Sequence, residues 1–200
     1  MKAQNVFRAL VQAYGPKSAK RYLWNREFAE GRWDFLDKTG DDTARIKIEK
    51  YAREGHILDL GCGSGTTGLE LDVHKYTSYF GVDISEVAVE KAKIRARELG
   101  RDAVNKYCAA DILTYVPNQQ FDLILFGDSI YYIPYAQISS LLKRYSSYLV
   151  TGGAFLVRIH DVSGKHARIL ETIENTYAVI EKDLRPSNGP VTCIAVFRPR

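Results

Sequence analysis

The sequence predicts one α/β domain built on a doubly wound, mainly parallel sheet with an antiparallel hairpin at one edge and a helical cap at the N-terminus. Three observations carry this. From residue 56 onward, short apolar runs alternate with longer amphipathic stretches, the pattern of βαβ units. Near the end, TYAVIEKDL and VTCIAVFRP flank the turn-rich RPSNGP, the pattern of a hairpin. The 200 residues are 46% hydrophobic and 26% charged, with no Pro/Ser/Gly-rich linker in the middle, which suits a single core.

Taken in order, Val6, Phe7, Leu10, Val11 and Tyr14 recur at helical spacing, and Gly15-Pro16 stops that helix because proline cannot continue it. The ring-dense YLWNREFAEGRWDFL, residues 22–36, completes the cap. A helical stretch over 43–53 leads into the core. Strands are expected at 56–61, 78–83, 104–109, 121–127 and 153–160, each too short for a helix and rich in branched or aromatic residues. Helices are expected between them at 66–74, 85–99 and 135–149, with Ser85 as an N-cap and Gly100 at a left-handed C-cap. A last helix near 164–174 precedes the hairpin.

Composition narrows the class. Gly 15, Pro 6 and Cys 3 exclude collagenous, low-complexity and disulfide-scaffold chains. Cys62, Cys108 and Cys193 form no CxxC pair, and His56, His74 and His166 have no spacing partners, so reduced thiols and no metal site are expected. No apolar run reaches the roughly 18 residues that span a bilayer, and Arg8 interrupts any signal-like core behind Lys2; a soluble cytoplasmic protein is expected. Residues 1–35 hold seven basic groups (Lys2, Arg8, Lys17, Lys20, Arg21, Arg26, Arg32) against Glu27, Glu30 and Asp34, which accounts for the whole net charge of +4. The body is neutral. Such an arm is either a phosphate-gripping surface or a solvated helix face.

The chemistry concentrates in HILDLGCGSG, where an apolar strand runs into Gly61, Gly63 and Gly65 and then a helix. Glycines there allow a tight turn and bring bare amides against a ligand at a helix N-terminus. Asp83 ends the second strand, where a carboxylate can accept both hydroxyls of a ribose. Thr66 follows GCGSG, so the GxGxxG dinucleotide fingerprint is not met. Asp111 lies just past the third strand, placed to accept from an adenine amino group while the Ile112 amide donates. A glycine turn and two acids thus line one carboxyl edge of the sheet, where open α/β sheets bind ligands.

LDLGCGSG, GVDIS, AADI and FDLILFGDSIYYIP resemble the successive motifs of the class I S-adenosylmethionine-dependent methyltransferases, over residues 50–200. The resemblance implies a Rossmann-like, seven-stranded sheet and S-adenosyl-L-methionine as cofactor. It implies that Gly61 and its neighbours cradle the methionine part and that Asp83 with Ile84 and Asp111 with Ile112 hold ribose and adenine. Gly127 belongs to the same cofactor set, and Asp59 corresponds to the family acid that orders the glycine loop and the cofactor's amino group. The cap resembles that of small bacterial members acting on sugars and other metabolites, among them the nodulation-factor N-methyltransferases.

Methyl transfer from a sulfonium is an in-line displacement, and an alcohol or ammonium acceptor must also lose a proton. Gly127-Asp128-Ser129 and His160-Asp161 should be neighbours above the methyl group, with His160 the preferred base, because imidazole titrates near neutrality, and Asp128 the second choice. Tyr131 and Tyr132 are expected to line the acceptor pocket. Trp33 is expected in the lid over the cofactor, with Arg32 on the cofactor carboxylate. GDSIYY stands where the adenine and glutamine N-methyltransferases carry Asn/Asp-Pro-Pro-Tyr, which disfavours an amide or adenine amino acceptor. The expected activity is methylation of a small polar metabolite or glycan precursor, at oxygen. The alternatives are an RNA or protein methyltransferase using the basic arm, and a non-catalytic cofactor-binding module acting through a partner. No nucleic-acid partner and no membrane partner are expected.

Overall fold

The computed structural model describes residues 8, 10–12, 14–35, 42–186 and 189–200. The expected helix start at Val6 and Phe7, the cap end at Leu36 and the turn at Ser187 and Asn188 lie outside them. Residues 8, 10–12 and 14 are helical, and α1 follows Pro16 over Lys17–Ala29. α2 spans Asp42–Ala52. The core then alternates β1 (His56–Leu60), α3 (Thr66–Glu70), β2 (Ser78–Asp83), α4 (Glu86–Glu98), β3 (Asn105–Ala109), β4 (Phe121–Gly127), α5 (Tyr135–Ser146), β5 (Leu149–Ile159) and α6 (Ala167–Thr176). β6 (Ala178–Arg185) and β7 (Thr192–Arg198) close it.

The seven strands form one sheet in the order β3-β2-β1-β4-β5-β7-β6, with β7 antiparallel to both neighbours and every other pair parallel. The order reverses direction at β1/β4, so the carboxyl ends of β1, β2, β3, β4 and β5 share one edge with a crevice at the switch point. Strand alternation assigns two faces. Phe155, Val157 and Ile159 pack with α5 and α6, while Ala154 and Leu156 pack beneath α2 with Ile194 and Val196.

The caps fall where the sequence places them. Ser85 Oγ accepts the Ala88 amide at 3.1 Å, and Gly100, at φ +65°, ends α4 with the Arg101 amide on the Ala96 carbonyl at 2.7 Å. Three boundaries move. The helix expected over 66–74 stops at Glu70; Leu71 turns extended and buried, and Asp72 accepts the His74 amide to start a separate 3-10 turn. The helix expected to reach 149 ends at Ser146. β5 starts at Leu149 rather than 153, because Phe121 pairs with Leu149 before the register shifts to Leu123 with Ala154.

Candidate active site

A cavity of about 720 Å³ opens along the carboxyl edge of the sheet, within the size range of small-ligand sites. Asp59, Gly61, Gly63, Asp83, Ile84, Asp111, Ile112, Gly127, Asp128, Tyr131, Tyr132, His160 and Trp33 all line it. Two expected residues do not. Arg32 sits in the turn after α1 with its side chain exposed, outside the wall, so it does not face the cavity. Gly65, at φ +82°, packs instead of lining: a Cβ there would meet Ala92 Cβ at 2.9 Å and the Tyr107 hydroxyl at 3.0 Å.

The floor is the loop after β1. Gly61 has φ +93°, and a Cβ on it would stand 2.4 Å from Ser129 Cβ, so glycine is what lets the β1 and β4 loops cross. Ser129 Oγ donates to the Leu60 carbonyl and locks that crossing. Asp83 ties the loop to α4: Oδ2 accepts the Gly63 amide at 2.9 Å and Oδ1 the Ser85 amide at 2.8 Å. Each carboxylate oxygen keeps further acceptor capacity for a ligand. Burial pushes the Asp83 carboxyl up, opposed by these amide donors.

Asp59 is 2% exposed and accepts from the Tyr79 hydroxyl. Its carboxyl is pushed up to about 7, chiefly by burial, with the Tyr79 bond and the Arg158 charge pulling down and the Asp83 charge pushing up. At the β3 end, Asp111 Oδ1 accepts the Leu113 amide at 2.9 Å, and Arg144 and Tyr145 of α5 both donate to the Ile112 carbonyl, fixing this turn. The Asp111 charge also reaches Lys20 of α1 across the cavity; burial is the larger influence on that lysine and lowers its pKa.

At the β4 end, Asp128 has φ +54°, a backbone region sparsely used outside glycine, though Asp and Asn are tolerated there best. Its carboxylate accepts from Arg158 Nε of β5. Tyr131 lies beside Asp128 in hydrogen-bond contact, and burial raises its hydroxyl well above the ordinary phenol range, so it stays a neutral donor. The Tyr131 ring stacks on His166 at 4.6 Å. His160 Nδ1 faces Thr192 Oγ1 at 3.3 Å, with its ring exposed.

The cap supplies the roof. Phe28 of α1 stands over Gly63, its Cζ 3.5 Å from where a Cβ would be, and Trp24 meets Tyr132 edge-on at 5.0 Å. Glu27, 1% exposed, accepts from Arg8 and from Trp33 Nε1, the latter at 3.0 Å. Asn25 Oδ1 accepts from Ser85 Oγ at 2.8 Å, and Lys91 Nζ donates to the Phe28 carbonyl at 2.8 Å, fastening α1 to α4. Sequence reasoning passed over three groups that face the cavity. Gln12 is 6% exposed, and its Nε2 has no partner among the described residues. Arg158 and Arg185 also line the wall, and neither belongs to a recognisable motif.

This edge offers a glycine floor, a carboxylate with spare acceptor capacity at β2, an acid turn at β3 and an aromatic roof, which is the chemistry a nucleoside-bearing ligand requires. The family model for the methyltransferase domain matches residues 52–189. The chain belongs to the class I methyltransferases. It is similar to the mRNA cap guanine-N(7) methyltransferase of Schizosaccharomyces pombe, at 28% identity over 77% of this chain and 46% of that protein. It is also similar to the 27-O-demethylrifamycin SV methyltransferase of Amycolatopsis mediterranei, at 29% identity over 56% of this chain and 44% of that protein. This methyltransferase domain thus spans about half the length of those curated relatives. Among solved structures, N-methyltransferase NodS of Bradyrhizobium japonicum with S-adenosyl-L-homocysteine aligns over 79% of this chain and 86% of that one. Its TM-score is 0.65 at 18% identity, a likeness of fold. S-adenosylmethionine is the family's cofactor, and the buried Gln12 Nε2 in the wall, without a partner among the described residues, fits a methyltransferase whose site is completed by a ligand.

Proposed function

We propose that this methyltransferase moves the methyl group of S-adenosylmethionine to an oxygen of a small polar metabolite or glycan precursor. The observation that carries this reading is the roof: Trp24, Phe28 and Trp33 close a cavity whose acceptor side is walled by Asp128, Tyr131, Tyr132, Arg158 and His160. Water exclusion and alignment are what the displacement needs. A roofed cavity suits a compact acceptor. Pairing of the cap's basic groups also supports this: Arg8 pairs with Glu27 inside the cap, Arg26 with Glu30 at the end of α1, and Arg21 with Glu86, which ties α1 to α4.

The bound cofactor supplies an electrophilic methyl carbon on a sulfonium, whose sulfur keeps the electron pair as the new oxygen–carbon bond forms. Asp83 holds the ribose hydroxyls, Asp111 and the following turn hold the adenine, and Gly61 and Gly63 give the methionine part a close approach. Arg45 takes the carboxylate role expected of Arg32. It lines the wall, one turn before Glu49 on α2, and Glu49 accepts the Asp72 amide on the glycine-loop side. His160 takes the acceptor proton. Asp128, held by Arg158 and Tyr131, orients the acceptor.

The test is tritiated methyl transfer over a panel of small hydroxyl, carboxylate and amine acceptors. His160→Asn is expected to lower kcat toward a hydroxyl acceptor by about 10²- to 10⁴-fold with unchanged affinity for S-adenosylhomocysteine. Unchanged activity moves proton abstraction to Asp128 or to no residue. Tight RNA binding that falls steeply with salt would favour a nucleic-acid acceptor instead.

Asp59 gives a second expected result. Its folded-state pKa of about 7 stands above the ordinary 3.8, so the empty protein loses stability as pH rises from about 4 to 7 and the buried carboxyl ionises. A cofactor ammonium beside Asp59 favours the carboxylate. Binding below about pH 7 should therefore release a proton and tighten as pH rises through that window. Calorimetry with S-adenosylhomocysteine in two buffers of different ionisation enthalpy measures the release, and Asp59→Asn should abolish it. No release in the wild type would place the ammonium away from Asp59.

A further inference from the structure

The acceptor side of the cavity has a charge pattern that neither the family motifs nor the displacement requires. In β5, Arg158 continues the face of Ala154 and Leu156, opposite to Val157 and Ile159. Its cross-strand partner in β7 is Ile194, and Thr192 is the next residue on that same face. Thr192 in turn pairs with Arg185 at the end of β6, and opposed residues of an antiparallel pair share a face. Arg158, Thr192, Arg185 and His160 therefore present one surface, and all four line the cavity. The two arginines stand two strand spacings apart across the sheet and two residues apart along it, roughly 12 Å between backbones, with Thr192 on the strand between them.

The acids of the wall are distributed differently. Among the described residues, Asp59, Glu70, Asp83 and Asp111 belong to the β1, α3, β2 and β3 side, and Asp128 is the one acid at the β4 end, where it engages Arg158. Of the other described wall cations, Arg45 pairs with Glu49 of its own helix at 3.4 Å, and Lys20 feels the Asp111 charge. The far side of the described wall thus carries two arginines and a threonine hydroxyl against one carboxylate, and is rich in hydrogen-bond donors. Arginine's planar fork matches a compact oxyanion bidentately.

We propose that the acceptor carries an acidic group, a carboxylate or a phosphate, and that Arg185, with Thr192 and Arg158, holds it while the reacting atom lies at the methyl group. This rests on the methyl-transfer reading above and names its substrate class. Hydroxy acids and sugar phosphates fit it; neutral sugars and amines lacking an anion do not.

The experiment has two arms. Tritiated methyl transfer is measured with small hydroxy acids, sugar phosphates and their neutral alcohol counterparts. Turnover confined to the anionic members is expected, carboxylates and phosphates being compared directly to identify the anion. Arg185→Gln should raise KM for the preferred acceptor at least tenfold with kcat changed far less, and Arg185→Lys should recover part of the loss. Affinity for S-adenosylhomocysteine should be unchanged in both variants, which also reports that they fold. Equal turnover of the neutral counterparts, or an unchanged KM in Arg185→Gln, overturns the proposal. The second arm titrates malonate and inorganic phosphate into the S-adenosylhomocysteine complex. Binding of either that Arg185→Gln weakens at least tenfold supports the anion site even where no panel member is methylated, a result that would count against methyl transfer alone. No binding of either ion in a protein that methylates neutral acceptors overturns the anion site and leaves methyl transfer standing.

Discussion

Asp83→Ala is expected to weaken S-adenosylhomocysteine binding by roughly 2–4 kcal/mol, about 30- to 1,000-fold, with a melting temperature of the empty protein near that of the wild type. The affinity loss has two sources. The carboxylate offers its remaining acceptor capacity to the ribose hydroxyls, and charge-assisted bonds of this kind contribute about 1.5–3 kcal/mol each before water replaces part of them. It also binds the Gly63 and Ser85 amides at 2.9 and 2.8 Å, so its removal loosens the loop that cradles the methionine part. Stability should respond less, because the ionised Asp83 is disfavoured by burial and its loss relieves that cost. Asp83→Asn keeps the shape but not the charge. The amide oxygen can still accept from one backbone N–H, but its NH₂ faces the other with a donor, so affinity should fall with either variant. Calorimetry decides it, and wild-type affinity in Asp83→Ala would remove Asp83 from the ribose site.

The sheet was legible because each element announces itself locally. HILDL, SYFGVD and FDLILFG are apolar runs too short for helices, and Ser85 and Gly100 mark both ends of α4. The cofactor edge was legible for the same reason, since Gly61, Gly63, Asp83 and Asp111 each stand at or just past a strand end and topology brings strand ends together. Arg158, Arg185 and Gln12 had no such signal. Arg158 and Arg185 come to one face only because β7 of the hairpin also pairs with β5, a pairing that local pattern does not encode. Gln12 is one polar residue in an amphipathic helix, and only its burial under the cap distinguishes it from a solvated one. Arg32 illustrates the converse. Neighbouring Trp33 turns into the cavity while Arg32 turns out, which density of rings in the sequence cannot tell apart.

Removing residues 1–36 is expected to abolish methyl transfer while leaving a folded sheet, and Glu27→Ala should reproduce most of that loss with the chain intact. Glu27 is the hinge pin of the roof: Arg8 of the first helical segment and Trp33 beyond α1 both donate to its carboxylate, and Arg8 also lies 5.6 Å above the Trp33 ring. Breaking a fully buried ion pair by removing one partner costs about 3–5 kcal/mol; with Arg8 23% exposed the loss here is smaller, and it is drawn from the docking of the roof rather than from the sheet, since none of these groups belongs to the two core clusters. With the roof displaced, Trp24 leaves Tyr132, water enters above the methyl carbon, and the acceptor loses one wall of its alignment. A misplacement of about 1 Å can cost 100-fold in rate, so at least that loss in kcat/KM is expected for Glu27→Ala. Glu27→Gln keeps an amide oxygen for the Trp33 N–H and should retain more activity. Circular dichroism and thermal melting establish that the sheet persists in each variant. A truncated protein that still turns over at the wild-type rate would show that the rings of the cap cover the core without serving the reaction.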